Sequence, residues 1–189
     1  MTIKPGQPWG EPATGDDGAA AVEVHTDRDI SRALDRREST TFRITAGDLF
    51  RTVGAAGMAF PIDVGEVLVD GRLHHFVAHL LMRERGWRRF VVVMNAPWMG
   101  EWNFGPKAHP NDGVLDVSEA DLGRFEWRKV KARLPTGSHL PHPRIKTHRT
   151  KAMTFEFPRG AEVTVDGESL GTARHVAIRV VPDAITVIS

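Results

Sequence analysis

The sequence predicts a mainly β fold with a few helices, an α+β chain whose strands form a β-sandwich. Three observations carry that reading. From Ile62 to the end, short apolar or alternating segments recur at regular spacing with turn residues between them. Asp-Gly pairs at Asp70-Gly71, Asp112-Gly113 and Asp166-Gly167 stand between extended segments, and glycine's freedom at positive φ makes such pairs hairpin turns. Helical periodicity is confined to three stretches, 26–37, 45–54 and 118–134.

Residues 1–25 are rich in Pro, Gly and small side chains and read as a flexible lead. Within it, Gly15-Asp16-Asp17-Gly18 reads as a disordered acidic turn, because no apolar strand precedes it as a phosphate loop requires. Residues 26–60 form a short helical unit. Thr26 or Asp27 caps a helix whose Ile30, Ala33 and Leu34 share one face. A strand follows at 41–44. Thr45 or Asp48 then caps a second helix through Leu49, Phe50 and Val53, ended by Gly54 and Gly57.

Residues 61–189 form the β domain. Glu66 to Val77 is a hairpin about Asp70-Gly71. His74 and His75 are adjacent on a strand and point to opposite faces, so they read with His79 as surface or core histidines rather than metal ligands. Residues 88–95 form a buried central strand, apolar on both faces. The following loop gathers Trp98, Met99, Trp102 and Phe104, which line an acyl-chain pocket, form a membrane-touching patch or cover one end of the sandwich. The helix at 118–134 is capped by Ser118, with Leu122, Phe125, Val130 and Leu134 on its apolar stripe. Its other face carries Arg124, Arg128, Lys129, Lys131 and Arg133, either a solvated face or one suited to anionic headgroups. Five strands follow, at 144–147, 153–157, 162–166, 175–181 and 185–188, broken by Pro-Arg-Gly, Gly-Glu-Ser-Leu-Gly and Pro-Asp-Ala turns.

The 189 residues suffice for a substantial core, and a formal net charge of +1 offers no broad basic field for nucleic acid. The absence of cysteine excludes disulfides, thiolate zinc sites and a Cys nucleophile. With no apolar leader and no membrane-length apolar run, the expectation is a cytoplasmic protein, with contact at a membrane surface left open.

The most informative stretch is Pro106-x-Ala108-x-Pro110-x-Asp112-Gly113-x-Leu115-Asp116-Val117. On spacing alone Asp112 sits either in a plain hairpin turn or among carbonyl oxygens that suit Mg2+ or Ca2+. The stretch resembles a signature of the diacylglycerol kinase and sphingosine kinase superfamily, in particular the C-terminal β-rich domain of bacterial soluble lipid kinases. Ile62-Asp63-Val64-Gly65-Glu66-Val67 resembles the opening of that domain, and Val165-Asp166-Gly167-Glu168 its Asp-Gly-Glu motif. Residues 43–54 resemble the segment that closes the preceding nucleotide-binding domain, with Ile44 and Gly47 departing at a family Gly and a family Asn.

The resemblance implies Asp166 as the general base toward a lipid hydroxyl and Glu168 as a group organising Mg2+. It implies Asp112 as a structural Mg2+ ligand, and Thr45, Asp48 and Arg51 as contacts to ATP. Strand alternation would place Asp166 and Glu168 on one face. Only about forty residues precede the matching segment, and no Gly-Gly-Asp-Gly-Thr phosphate loop is present, which argues against autonomous use of ATP. The expectation is a stand-alone lipid-kinase-like domain without kinase activity of its own, binding a lipid, another ligand or a partner chain. The alternative is a lipid kinase whose phosphate site is completed by a second protomer or another chain.

Overall fold

The computed structural model describes residues 9–54, 56–85 and 89–189, leaving aside the side chains of Asp16 and Asp17. Residues 1–8 of the expected lead, the carboxylates of the 15–18 turn, and Arg88 of the expected central strand therefore lie outside the described residues.

Two long strands organise the sheet. β4 (Met58–Val69) runs antiparallel to β13 (Glu168–Ile188), from Val69 opposite Val176 to Ala59 opposite Ile188. On the other side of β13 lies β12 (Ala152–Val165). The sheet continues through β6 (His79–Arg83), β7 (Arg89–Met94), β10 (Leu115–Asp121) and β11 (Ile145–Thr150). β5 (Arg72–Phe76) hairpins onto β4. Among the described residues eleven strands join in this one sheet.

The sequence suggested turns at Pro158-Arg159-Gly160 and Pro182-Asp183-Ala184; both are bulges inside continuous strands. The registers shift between Glu156 and Ala161 and between Val181 and Ile185, with Gly160 at φ 79° and Asp183 at φ 50°. Proline removes a ladder donor without ending the strand, and the extra residues bend it. Four expected strands are thus two, and their bends let the sheet fold around one core. That core contains Val67, Phe76, Leu80, Val91, Val117, Phe157, Val163 and Ile178.

A second core lies under the N-terminal helices. β2 (Val22–Val24), α2 (Asp27–Asp35) and β3 (Thr41–Ile44) form a parallel crossover, and β3 continues onto the end of β13. α3 (Asp48–Val53) follows. Ile30, Phe42, Ile44, Leu49, Ile62 and Val187 pack between them. Thr26 caps α2 through its backbone N–H, which donates to Asp29 at 2.8 Å.

Residues 9–24 are part of the fold, where the sequence suggested a flexible lead. β1 (Glu11–Pro12) pairs with the start of β4, and the Trp9 ring lies 4.8 Å from that of Phe60. Gly15–Ala20 forms the short helix α1.

The helix expected over 118–134 starts later than its capping signal. Ser118 to Asp121 are the last residues of β10, with Ser118 between Val92 of β7 and Thr147 of β11. Ladder bonds available on both sides outcompete a local cap. α4 runs Arg124–Arg133 and begins at Gly123, whose N–H donates to Glu126 at 2.9 Å. Its inward side chains are Val130 and Trp127, while Phe125, expected in the stripe, is 80% exposed. The third core joins Phe90, Val92, Met94, Leu122, Val130 and Leu134 beneath α4. β7 is apolar throughout because Val91 and Val93 face the main core while Phe90, Val92 and Met94 face this one.

One position tests this packing. Gly65 stands opposite Phe76 on the β4–β5 ladder, and a Cβ there would lie 2.1 Å from the fully buried Phe76 ring. Gly65→Ala should lower unfolding free energy by about 1–3 kcal/mol, measured by urea denaturation, with Phe76→Leu partly restoring it. An unchanged midpoint would contradict the packing.

Candidate functional site

The site is built around Asp166. Asp166 and Gly167 are a two-residue turn, at φ 43° and 79°, joining Val165 to Glu168 as a mirror-image turn requires. The turn directs the Asp166 side chain inward, where it is 0% exposed. Its carboxylate accepts four hydrogen bonds. Val77 N–H donates to Oδ2 at 2.8 Å, Ala78 and His79 N–H donate to Oδ1 at 3.1 and 2.8 Å, and the Ser31 hydroxyl donates to Oδ2. Asp166 N–H donates in turn to the His79 carbonyl at 3.0 Å. One side chain therefore joins the β12–β13 turn, the β5–β6 connection and α2.

Beside this tie opens a cleft of about 620 Å3. Its floor includes His79 and the backbone of Asp166 and Gly167. One wall is formed by Asp27 and Asp48, the other by Met99, Gly100, Glu101 and Trp102. The second wall is a hairpin of β8 (Trp98–Met99) and β9 (Trp102–Asn103). α3 grips that hairpin by both polar groups of one residue. Gly100 N–H donates to the Asp48 carboxylate at 2.9 Å, and Arg51 donates to the Gly100 carbonyl at 3.2 Å. The Arg51 guanidinium also lies 3.4 Å from the centre of the Trp98 ring. Phe104 is buried in the third core, and Met99 and Trp102, which pack against that core, also line the cleft.

Asp27 closes the N-terminus of α3 rather than of its own helix. It accepts from Asp48 N–H at 2.6 Å and Leu49 N–H at 3.1 Å. Gly47 is at φ 110°, and a Cβ there would lie 2.6 Å from the Asp27 carboxylate. Burial, reinforced by the charge of Asp166, pushes Asp27 up to about 7. The His79 ring is buried, and its Nδ1 has no hydrogen-bond partner; it lies 3.5 Å from Asp48 Oδ2 and 4.0 Å from Asp166 Oδ1. Sequence reasoning read His79 as a surface or core histidine and Asp27 as a cap for α2. Neither placement carries a local signal in the sequence.

The structure brings Asp48 and Asp166 to this cleft and sets Arg51 behind the hairpin wall. Thr45 is exposed and bonds His25 at 2.8 Å, away from the cleft lining. Glu168 does not share a face with Asp166, because alternation is broken by the turn. Its carboxylate forms two bonds to Arg32, at 2.7 and 3.0 Å, and that guanidinium holds Glu168 below the usual carboxylate range.

Asp112 lies elsewhere. Its Oδ1 accepts from Val114 N–H at 3.2 Å and its Oδ2 binds the Arg149 guanidinium, which also reaches Asp116 at 3.2 Å. The turn is held from behind by buried Asp63, which accepts from Gly113 N–H at 2.7 Å and Asp183 N–H at 2.9 Å. Among the described residues no three His, Asp or Glu side chains are arranged to hold a metal ion. The donor set at Asp112 does not fit Mg2+, since a guanidinium already neutralises the carboxylates a hard cation would need. Thermal melts in Mg2+ and in EDTA should therefore coincide for the wild-type chain, and Arg149→Ala should lower the midpoint. A clear rise in the wild-type midpoint with Mg2+ would contradict this assignment.

With this geometry established, comparison places the chain. Its folded sheet is a sandwich of the NAD-kinase-like type. Residues 53–189 match the family model described as the YegS C-terminal NAD kinase beta sandwich-like domain, and the chain belongs to that family. Three solved structures described as diacylglycerol kinases from Bacillus anthracis str. Sterne share the fold. One aligns at TM-score 0.69 and 18% identity over 89% of this chain and 77% of that one. Another gives 0.67 and 16% over 89% and 78%. A third gives 0.58 and 18% over 78% and 66%. At these identities the likeness is one of fold. No curated protein sequence matches the chain.

Proposed function

We propose that this chain is a lipid-kinase-like domain that binds a lipid or similar hydroxyl-bearing amphiphile in the Asp48–His79–Trp102 cleft and does not by itself transfer phosphate from ATP. One observation carries the reading. The carboxylate that the family pattern assigns as base, Asp166, accepts four internal hydrogen bonds and has no exposed surface. A general base needs a free lone pair within reach of the substrate proton, and a carboxylate offers about four acceptor positions. The cleft itself combines apolar Met99 and Trp102 with polar His79 and Asp48, the composition of a site for an amphiphile. Among the lining residues the carboxylates of Asp48 and Glu101 outnumber the one guanidinium, Arg28, and disfavour an unshielded triphosphate.

A second reading is favoured by His79, which lines the cleft while its buried Nδ1 lies 3.5 Å from Asp48 Oδ2, a carboxylate placed to orient the imidazole. On that reading His79 is the base of a lipid kinase, and another chain or protomer supplies the phosphate site.

Incubation of the purified chain with Mg·ATP labelled on the γ-phosphate and diacylglycerol vesicles should leave the lipid unlabelled. A short-chain diacylglycerol should meanwhile quench the tryptophan fluorescence saturably, at least tenfold more weakly in Trp102→Ala. Labelled lipid from the chain alone would overturn the first reading. Label that requires a second chain and disappears in His79→Gln would establish the second.

A further inference from the structure

α4 has an outer face that neither the sheet nor the cleft explains. Its sequence is Arg124-Phe125-Glu126-Trp127-Arg128-Lys129-Val130-Lys131-Ala132-Arg133. At about 100° per residue, Val130 and Trp127 define the core side. Glu126, the only acid on the helix, is turned back to the Gly123 N–H and to Arg144. Phe125 then points directly away from the core and is 80% exposed. Arg124 and Arg128 flank it on one side, Lys129 and Arg133 on the other, and all four are exposed. None of the four is held by a carboxylate among the described residues. The face therefore presents one apolar ring encircled by four cations, a pairing of apolar and positively charged groups rather than a lone exposed side chain.

We infer that α4 is a docking face for an anionic phospholipid surface, with Phe125 inserted among the headgroups and Arg124, Arg128, Lys129 and Arg133 on their phosphates. The apolar wedge and the surrounding charge match the two layers such a surface presents. A nucleic acid would be matched by a wider basic field, which a net charge of +1 does not supply. The helix also adjoins the cleft wall. The Lys131 ammonium lies 5.4 Å from the centre of the Trp102 ring, and Trp102 and Trp127 meet edge to face at 6.2 Å. Docking through α4 therefore sets the cleft beside the lipid surface. The inference does not depend on what the cleft holds.

Co-sedimentation with sucrose-loaded vesicles tests it. The chain should bind phosphatidylcholine vesicles containing phosphatidylglycerol and not vesicles of phosphatidylcholine alone. Because each cation near an anionic surface strengthens association about fivefold, Arg128→Ala with Lys129→Ala should weaken partitioning about thirtyfold. Phe125→Ser should weaken it about tenfold. Arg36→Ala, a cation beyond α2, should leave it unchanged. All these side chains are exposed, and superimposable thermal melts verify that the variants are folded. Equal binding to neutral vesicles, insensitivity to the α4 variants, an equal loss in Arg36→Ala, or capture on heparin or single-stranded DNA without vesicle binding would each overturn the inference.

Discussion

The carboxylate of Asp166 is the constraint on which the rest of the structure depends. It is fully desolvated, and its partners, Ser31 and the backbone of residues 77–79, come from two parts of the chain distant from the turn that carries it. Left without donors, such a group would cost several kcal/mol; with four, it fixes where the β12–β13 turn, the β5–β6 connection and α2 must meet. Asn95 reinforces the same point, donating from its buried amide to the carbonyls of Asp63 and Val77, each at 2.8 Å. The cleft exists because these ties hold the 77–79 backbone and α2 in place while leaving His79 with an unbonded nitrogen.

The proposed absence of phosphate transfer rests on this carboxylate. The family is secured by the match over residues 53–189, and the sandwich is shared with structures described as diacylglycerol kinases. A shared sandwich does not carry an activity with it. The positions that the resemblance marks for chemistry are occupied by internal partners: Asp166 by backbone amides, Glu168 by Arg32, Asp112 by Arg149. The polar side chains left lining the cleft are those of Thr26, Asp27, Arg28, Asp48, His79 and Glu101. The proposed binding role rests on this distribution, since binding needs shape and a few placed polar atoms, whereas transfer needs a free base and a cradle for phosphates.

What was legible in the sequence was local. Asp70-Gly71 is legible as a turn because the pair specifies its own backbone, whereas the strand expected to end at Asp166 turns already at Asp166-Gly167, and Glu168 to Gly171, expected as the turn, are strand. α2 and α3 were read from their capping residues and apolar faces. Illegible features depended on distant partners. A proline in a bulge and a proline in a turn look alike over five residues, so β12 and β13 were each divided in two. Ser118 carries a genuine capping pattern, and only the strands on both sides of it explain why it is extended. The Asp27 cap of α3 spans 21 residues, and the Ser31 bond to Asp166 spans 135. Phe125 fits an apolar stripe by spacing, yet Trp127 takes the inward place and leaves it in solvent.

The most direct test of this account is amide hydrogen exchange at Val77, Ala78 and His79, followed by NMR. If the Asp166 carboxylate is the structural tie described, all three amides exchange slowly in the wild-type chain, and Asp166→Ala accelerates these three far more than the amides of β7 or β10. Fast exchange at all three in the wild-type chain would mean that the carboxylate is free, and the family's base would have to be reinstated at Asp166.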